Sequence, residues 1–329
     1  MEIPDETVGE PSPDPVERGT AFGHRVLSRE PLVRLGVGEP APLGSITVEV
    51  ASGEPMERRG DDATVDLTTP LPERLRDGIV RLAAPGITSF DLDPHASLIT
   101  VTVASGDTIW RHRLLNAAIP LLLTAQGYFL SHASAIVVDG VAVLFVGPSR
   151  RGKSTVAATA AELGWPVLAE DGVLMALGDH GRVDPGADAA AVPVAWPGAV
   201  DVRLFDRLVT PDETRVPPKR TRPLPATLRH REPTPVGAVV VLGARGGEPA
   251  FEELATRYRV AAILANSFSV DEATRDVQFP LAAALAARIP VVRGHLPEGL
   301  GNLPGALRAL VERTCETVAS QWPPAQERQ

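Results

Sequence analysis

The chain has 329 residues, 44% of them hydrophobic and 22% charged, with a net charge of −9 at pH 7. That length suits about two domains with full cores, while the acidic balance and the lack of a basic run argue against nucleic acid as a partner. The single cysteine, Cys315, excludes an internal disulfide framework and a cysteine metal site, which fits a reducing cytoplasm.

Residues 1–20 are rich in Pro, Glu and Asp and read as a disordered tail without signal-peptide order. Residues 21–127 read as a small strand-rich N-terminal domain. Its β-like runs fall at 45–50, 64–67, 89–92 and 98–103, separated by Gly, Pro and Asp. A buried connecting helix over 114–126 ends at Gly127, and its apolar stretch is too short to span a bilayer. No membrane partner is expected, and a cytoplasmic location is.

Residues 128–320 form the second expected domain, followed by a C-terminal tail over 321–329. Apolar runs at 135–138 and 141–146 flank Asp139-Gly140, the strongest short-range hairpin signal. The strand at 141–146 is thus expected to pair antiparallel with the strand just before it. A helix follows over 155–163, stopping at Gly164. A short strand at 166–169 runs into Glu170-Asp171, and another strand is expected at 173–177. Residues 179–235 are rich in Gly, Pro, Asp and Arg and read as a long functional loop. A buried strand is expected at 236–242, and helices over 251–257, 281–288 and 303–320.

The hairpin leads into Gly147-Pro-Ser-Arg-Arg-Gly-Lys-Ser-Thr155, which matches G-x-x-x-x-G-K-S/T, the P-loop. Only Lys153 and Lys219 are lysines among the 32 basic residues, so composition does not explain a lysine here. The chemistry does. Glycines let backbone N–H groups curl around phosphate oxygens, and the following helix adds its positive N-terminus. Lys153 is a compact charge suited to the β- and γ-phosphates, which the planar fork of arginine does not replace. Gly147, Ser149, Arg150, Arg151, Gly152, Lys153, Ser154 and Thr155 are the expected nucleotide contacts. Arg150 and Arg151 read either as solvated side chains or as phosphate ligands at the crown of the loop.

Glu170-Asp171 at a strand end reads either as a solvated turn or as a carboxylate pair that serves Mg²⁺ and proton transfer. His132, just before the hairpin, reads as structural or as part of the site. The arginines at 215, 220, 222, 229 and 231, with Lys219, read as a solvated basic loop, as a loop that folds over the nucleotide and brings a cation to the transferring phosphoryl group, or as a hold for an acidic partner. The sequence lacks the Asn/Thr-Lys-x-Asp motif of GTPases and the Leu-Ser-Gly-Gly-Gln of ABC ATPases. It also lacks the His-Arg-Asp and Asp-Phe-Gly of protein kinases.

Taken together, residues 131–147, the loop and Leu168-Ala-Glu-Asp171 resemble the C-terminal catalytic domain of the HPr kinase/phosphorylase family, especially its HPr-kinase-related bacterial members. The resemblance covers roughly residues 131–175. It implies an α/β P-loop nucleotide domain of the HPr kinase/PEP carboxykinase-like type, with a mixed sheet, beside the smaller N-terminal domain. It further implies ATP and Mg²⁺ as cofactors and phosphoryl transfer to a serine hydroxyl. Lys153 would hold phosphates, Ser154 and Asp171 the metal, and Glu170 would be the base with His132 in support. The family has aspartate at the first acid, where this chain has Glu170. Its downstream Arg-Gly signature gives way to residues 196–205. The acceptor is therefore expected to be a hydroxyl-bearing peptide, protein or small molecule other than HPr. The alternative is an ATP-binding accessory protein with little transfer. A homo-oligomer is compatible with either reading.

Overall fold

The computed structural model describes residues 14–32, 35, 43–52, 72–83, 88–103, 107, 110–177, 181–188, 190–200, 202–204, 220–222, 224–244, 246, 251–297 and 301–321. The strand expected at 64–67 lies outside these residues, as do residues 1–13 and 322–329. The chain divides into two compact units. Residues 1–128 with 268–277 form one, and residues 129–267 with 278–329 form the other.

The first unit holds a seven-stranded mixed sheet. In chain order its strands are β1 (Val16–Ala21), β2 (His24–Ser28), β3 (Gly44–Ser52), β4 (Pro72–Arg74), β5 (Val80–Ala83), β6 (Thr88–Asp93) and β7 (Leu98–Val103). The spatial order is β1-β2-β3-β7-β6-β5-β4, with β3 parallel to both β2 and β7. Alternation in the sequence becomes alternation of burial. Phe90, Leu92, Ile99 and Val101 point into the core, as do Ile46, Val48, Val80 and Leu82. Each such side chain contributes about 1.5–3 kcal/mol by leaving water. The tail expected through residue 20 ends sooner, because β1 starts at Val16. It pairs with β2 across Phe22-Gly23, both at positive φ, with the Phe22 ring buried.

The helix expected at 114–126 starts earlier, as α1 (Trp110–Arg113). It passes through a π turn (Leu114–Ala118) into α2 (Ile119–Ala125). Pro120 lies just after the π turn inside this continuous helical run and has no N–H to donate to it. Gly127 at φ 89 ends the helix as expected.

The second unit continues with β8 (Phe129–Ser131), β9 (Ala133–Val138), β10 (Val141–Val146), α3 (Lys153–Glu162), β11 (Val167–Ala169), β12 (Val173–Leu177) and β13 (Pro193–Trp196). A small pair, β14 (Val202–Leu204) and β15 (Arg220–Arg222), precedes β16 (Thr234–Leu242). Then come β17 (Phe251–Glu253), α4 (Thr256–Ala265), α5 (Glu272–Ala286), β18 (Val291–Gly294) and α6 (Leu303–Gln321). The segment expected to be a loop at 179–235 therefore carries three strands among its described residues. The helix expected over 251–257 is corrected as well. Phe251–Glu253 is a strand paired antiparallel with β18, and the helix begins only at Thr256.

The nine-stranded mixed sheet runs β11-β9-β10-β16-β13-β12-β8, with β18 added to β16 and β17 to β18. The two faces of its strands build two cores. Val143, Phe145, Val240 and Val292 pack with Val156 and Ala160 of α3 and with Leu303, Leu307 and Leu310 of α6. Ala142, Leu144, Val239 and Val291 pack with Ile263 of α4 and with Leu281 and Leu285 of α5.

The Asp139-Gly140 hairpin forms as its sequence dictates. Val141 opposes Val138, and Val146 opposes Ala133, with φ 50 at Asp139 and φ 78 at Gly140. Strand directions then decide where the chemistry collects. β9 is antiparallel to both β10 and β11, so those two strands point the same way. β10 is parallel to β16, and β16 to β18. Four strands thus end at one edge of the sheet, and β9 begins there. This edge receives His132, Gly147, Glu170 and Asp171 from distant parts of the sequence.

Candidate functional site

The segment between β10 and α3 folds as a tight loop. Gly147 has φ 147, and a Cβ there would lie 3.2 Å from the Leu242 carbonyl oxygen, so both the backbone angle and the space call for glycine. Gly152, at φ 101, is the N-cap of α3 and supplies no side chain to cap it. No side chain of the N-cap residue thus covers the N-terminus of the helix, the end that favours an anion. Lys153 is only 6% exposed, and its Nζ donates to the carbonyls of Gly147 (2.7 Å) and Pro148 (3.4 Å). The ammonium is thereby held inside the curve of the loop. Ser149 and Arg150 are exposed at the crown, and Arg151 and Thr155 are half-buried. Arg150 adopts the left-handed conformation at φ 67, uncommon for a residue with a Cβ.

The two acids diverge from the end of β11. Glu170 is 2% exposed, and its N–H donates to Ala199 O at 2.6 Å. Its Oε1 accepts a 2.5 Å hydrogen bond from Ser154 Oγ. Asp171 turns away through φ 70. Its carbonyl oxygen lies 3.0 Å from His132 Nδ1, and its Oδ1 lies 3.4 Å from the same nitrogen. Both oxygens can only accept, so Nδ1 carries the hydrogen. The His132 N–H donates to Asn266 O at 2.6 Å.

The structure thus joins Ser154 to Glu170 and His132 to Asp171. The family resemblance implies instead Ser154 with Asp171 as the metal pair and Glu170 as the base. A hydroxyl and a carboxylate fit a Mg²⁺ whose remaining ligands are phosphate oxygens and water. Among the described residues, no group of three His, Cys, Asp or Glu side chains could hold a metal ion without such help.

Two supports of the site had no signal in the sequence. Ala199 O, which holds Glu170, belongs to a segment whose Gly198 N–H also donates to Leu168 O (3.1 Å). Residues 198–199 thus run beside the end of β11. Asn266 O, which holds His132, accepts from Ser131 Oγ as well (3.2 Å). The arginine-bearing segment is only partly described. Arg222 pairs with Glu162 at 3.0 Å, and Arg229 Nε donates to Leu224 O at 2.8 Å. Lys219 and Arg215 lie outside the described residues, and of Arg220 only the backbone is described. Burial pushes the Cys315 thiol above its ordinary range, with Asp139 adding to the effect, so this cysteine is a poor nucleophile.

No protein-family model matches the chain, and no curated protein matches it. Among solved structures, the HPr(Ser) kinase/phosphatase from Coxiella burnetii is similar at 13% identity and a TM-score of 0.31. The match covers 57% of this chain and 97% of that one. A likeness of that size carries no argument about activity. No helix among the described residues is long and apolar enough to cross a membrane.

Proposed function

We propose that this chain binds ATP with Mg²⁺ at the Gly147–Thr155 loop and transfers the terminal phosphoryl group to a serine-type hydroxyl. The observation that carries this reading is the Ser154–Glu170 hydrogen bond, formed directly behind a loop that encloses the Lys153 ammonium. A loop of this shape offers backbone donors and a fixed cation to phosphate oxygens. Mg²⁺, when held by Ser154, Glu170 and phosphate oxygens, neutralises charge on the triphosphate. The acceptor oxygen attacks the γ-phosphorus. The bond to the bridging oxygen breaks, and ADP leaves with that electron pair. The acceptor's proton passes to the Asp171 carboxylate, which His132 orients through Nδ1. The pairing in the structure favours this division over the reverse one.

The test is a binding and single-turnover series with labelled ATP. Lys153→Ala should weaken ATP binding while the protein stays folded. Glu170→Gln should remove the Mg²⁺ dependence of binding. Asp171→Asn should keep ATP affinity and slow transfer about a hundredfold or more. HPr and other hydroxyl-bearing proteins and peptides serve as acceptors, with HPr expected to stay unlabelled. A second reading is an ATP-binding accessory protein. It is favoured by the glutamate at 170, one methylene longer than the aspartate of the family this segment resembles. Tight ATP binding with no label on any acceptor would select it.

A further inference from the structure

β10, β16 and β18 are parallel and end side by side at the edge that carries the loop. His132, Glu170 and Asp171 stand on one side of the loop along this row. His295, the first residue after β18, stands on the other. Its ring lies on Gly243, the first residue after β16. A Cβ at Gly243 would sit 2.5 Å from the ring's Cε1 and 2.8 Å from its Nδ1. The Gly243 N–H donates to Gly294 O (2.9 Å) and the Gly246 N–H to Leu296 O (3.2 Å), so the two segments run together past the sheet. His295 Nδ1 lies 3.2 Å from Ala244 O. A carbonyl only accepts, so Nδ1 carries the hydrogen, and in the imidazole form of this half-buried ring Nε2 is an acceptor.

We infer that His295 binds the nucleoside half of the triphosphate. This inference rests on the loop being the phosphate site. The transferred phosphoryl group has to meet Ser154, Glu170, Asp171 and His132. The rest of a linear nucleotide then extends to the other side, over the ends of β16 and β18. Two strand spacings, about 10 Å, separate β10 from β18. Ligands of open α/β sheets lie outside the carboxyl ends of their parallel strands, which is where His295 stands. Nε2 accepts a hydrogen bond from a nucleoside donor, either a ribose hydroxyl or the exocyclic amine of the base. Glycine at 243 is what gives the ring its place.

Calorimetry with Mg-ATP and with Mg-tripolyphosphate on the full chain tests this. His295→Ala should weaken ATP about tenfold, the loss of one hydrogen bond, and leave tripolyphosphate unchanged. Gly243→Ala, which drives a Cβ into the ring, should do the same. Lys153→Ala should weaken both ligands. On the unaltered protein, 2′-deoxyATP, 3′-deoxyATP and ITP identify the donor, because the analogue lacking it binds about tenfold less tightly than ATP. Equal ATP affinity in both variants overturns the inference, as does equal binding of all three analogues and ATP to the unaltered protein. A parallel loss of ATP and tripolyphosphate overturns it as well. Failure of the unaltered protein to bind either ligand overturns the phosphate-site reading, and this inference falls with it.

Discussion

Arg150→Gly should make the protein more stable and less active at once. Arg150 holds φ 67 at the exposed crown of the loop. The left-handed region costs a residue with a Cβ roughly 1–2 kcal/mol. Glycine escapes that cost but loses about 0.5–1 kcal/mol through its freer unfolded chain. The net gain is about 0.5–1 kcal/mol, a rise in Tm of about 1–4 °C for a unit of this size. If the arginine is held there to meet phosphate, its loss removes a charge-assisted hydrogen bond of about 1.5–3 kcal/mol. That lowers kcat/KM for ATP roughly 10- to 100-fold. Arg150→Lys keeps both the charge and the backbone cost, so it should gain no stability and retain part of the activity. Differential scanning fluorimetry and a coupled ADP assay on the three proteins give both numbers. A Tm that falls in Arg150→Gly refutes the strain argument. Unchanged kcat/KM refutes the phosphate contact, and the strain would then serve something else.

Gly140→Ala should destabilise the protein by about 1 kcal/mol through backbone strain alone, since nothing lies within 4 Å of the added Cβ. Asp139→Asn should be neutral there, because asparagine tolerates the same positive φ, and urea denaturation reads both. In the first unit, desolvation raises the Asp271 carboxyl. The Thr274 hydroxyl, the Arg74 guanidinium and the Thr274 N–H outweigh it and hold the group at about 2. A depressed acid stabilises the fold above its ordinary value of 3.8 and loses that contribution as pH falls toward 2. After allowance for solvent screening this is about 1 kcal/mol. A Tm profile from pH 5 to 2 should therefore be steeper for the natural protein than for Asp271→Asn, and parallel profiles would count against it. Cys315 should react with iodoacetamide at pH 8 at least about tenfold more slowly in the folded protein than in urea.

The parts of the site that follow from local rules were legible in the sequence, and the parts set by pairing across the chain were not. Asp139-Gly140 between two apolar runs dictates the hairpin whatever surrounds it, and Val138 duly opposes Val141. Phe22-Gly23 makes the same kind of turn at positive φ, yet a phenylalanine there gives no turn signal. Without the turn, Val16–Ala21 looked like the end of an acidic tail. Phe251–Glu253 is a strand because β18 offers it an edge, so an apolar residue followed by two glutamates could not reveal it. The acid pair shows the limit most sharply. Glu170 and Asp171 are neighbours, yet one meets Ser154 and the other His132. Which acid meets Ser154 depends on β9 lying between β10 and β11, and on Asp171 adopting φ 70. Neither has a local signature. His295 and Gly243 belong to the same class of fact. They lie 52 positions apart in sequence and meet only because β16 and β18 are parallel neighbours. A motif therefore locates the loop at the centre of the candidate site, and the strand order places the residues around it.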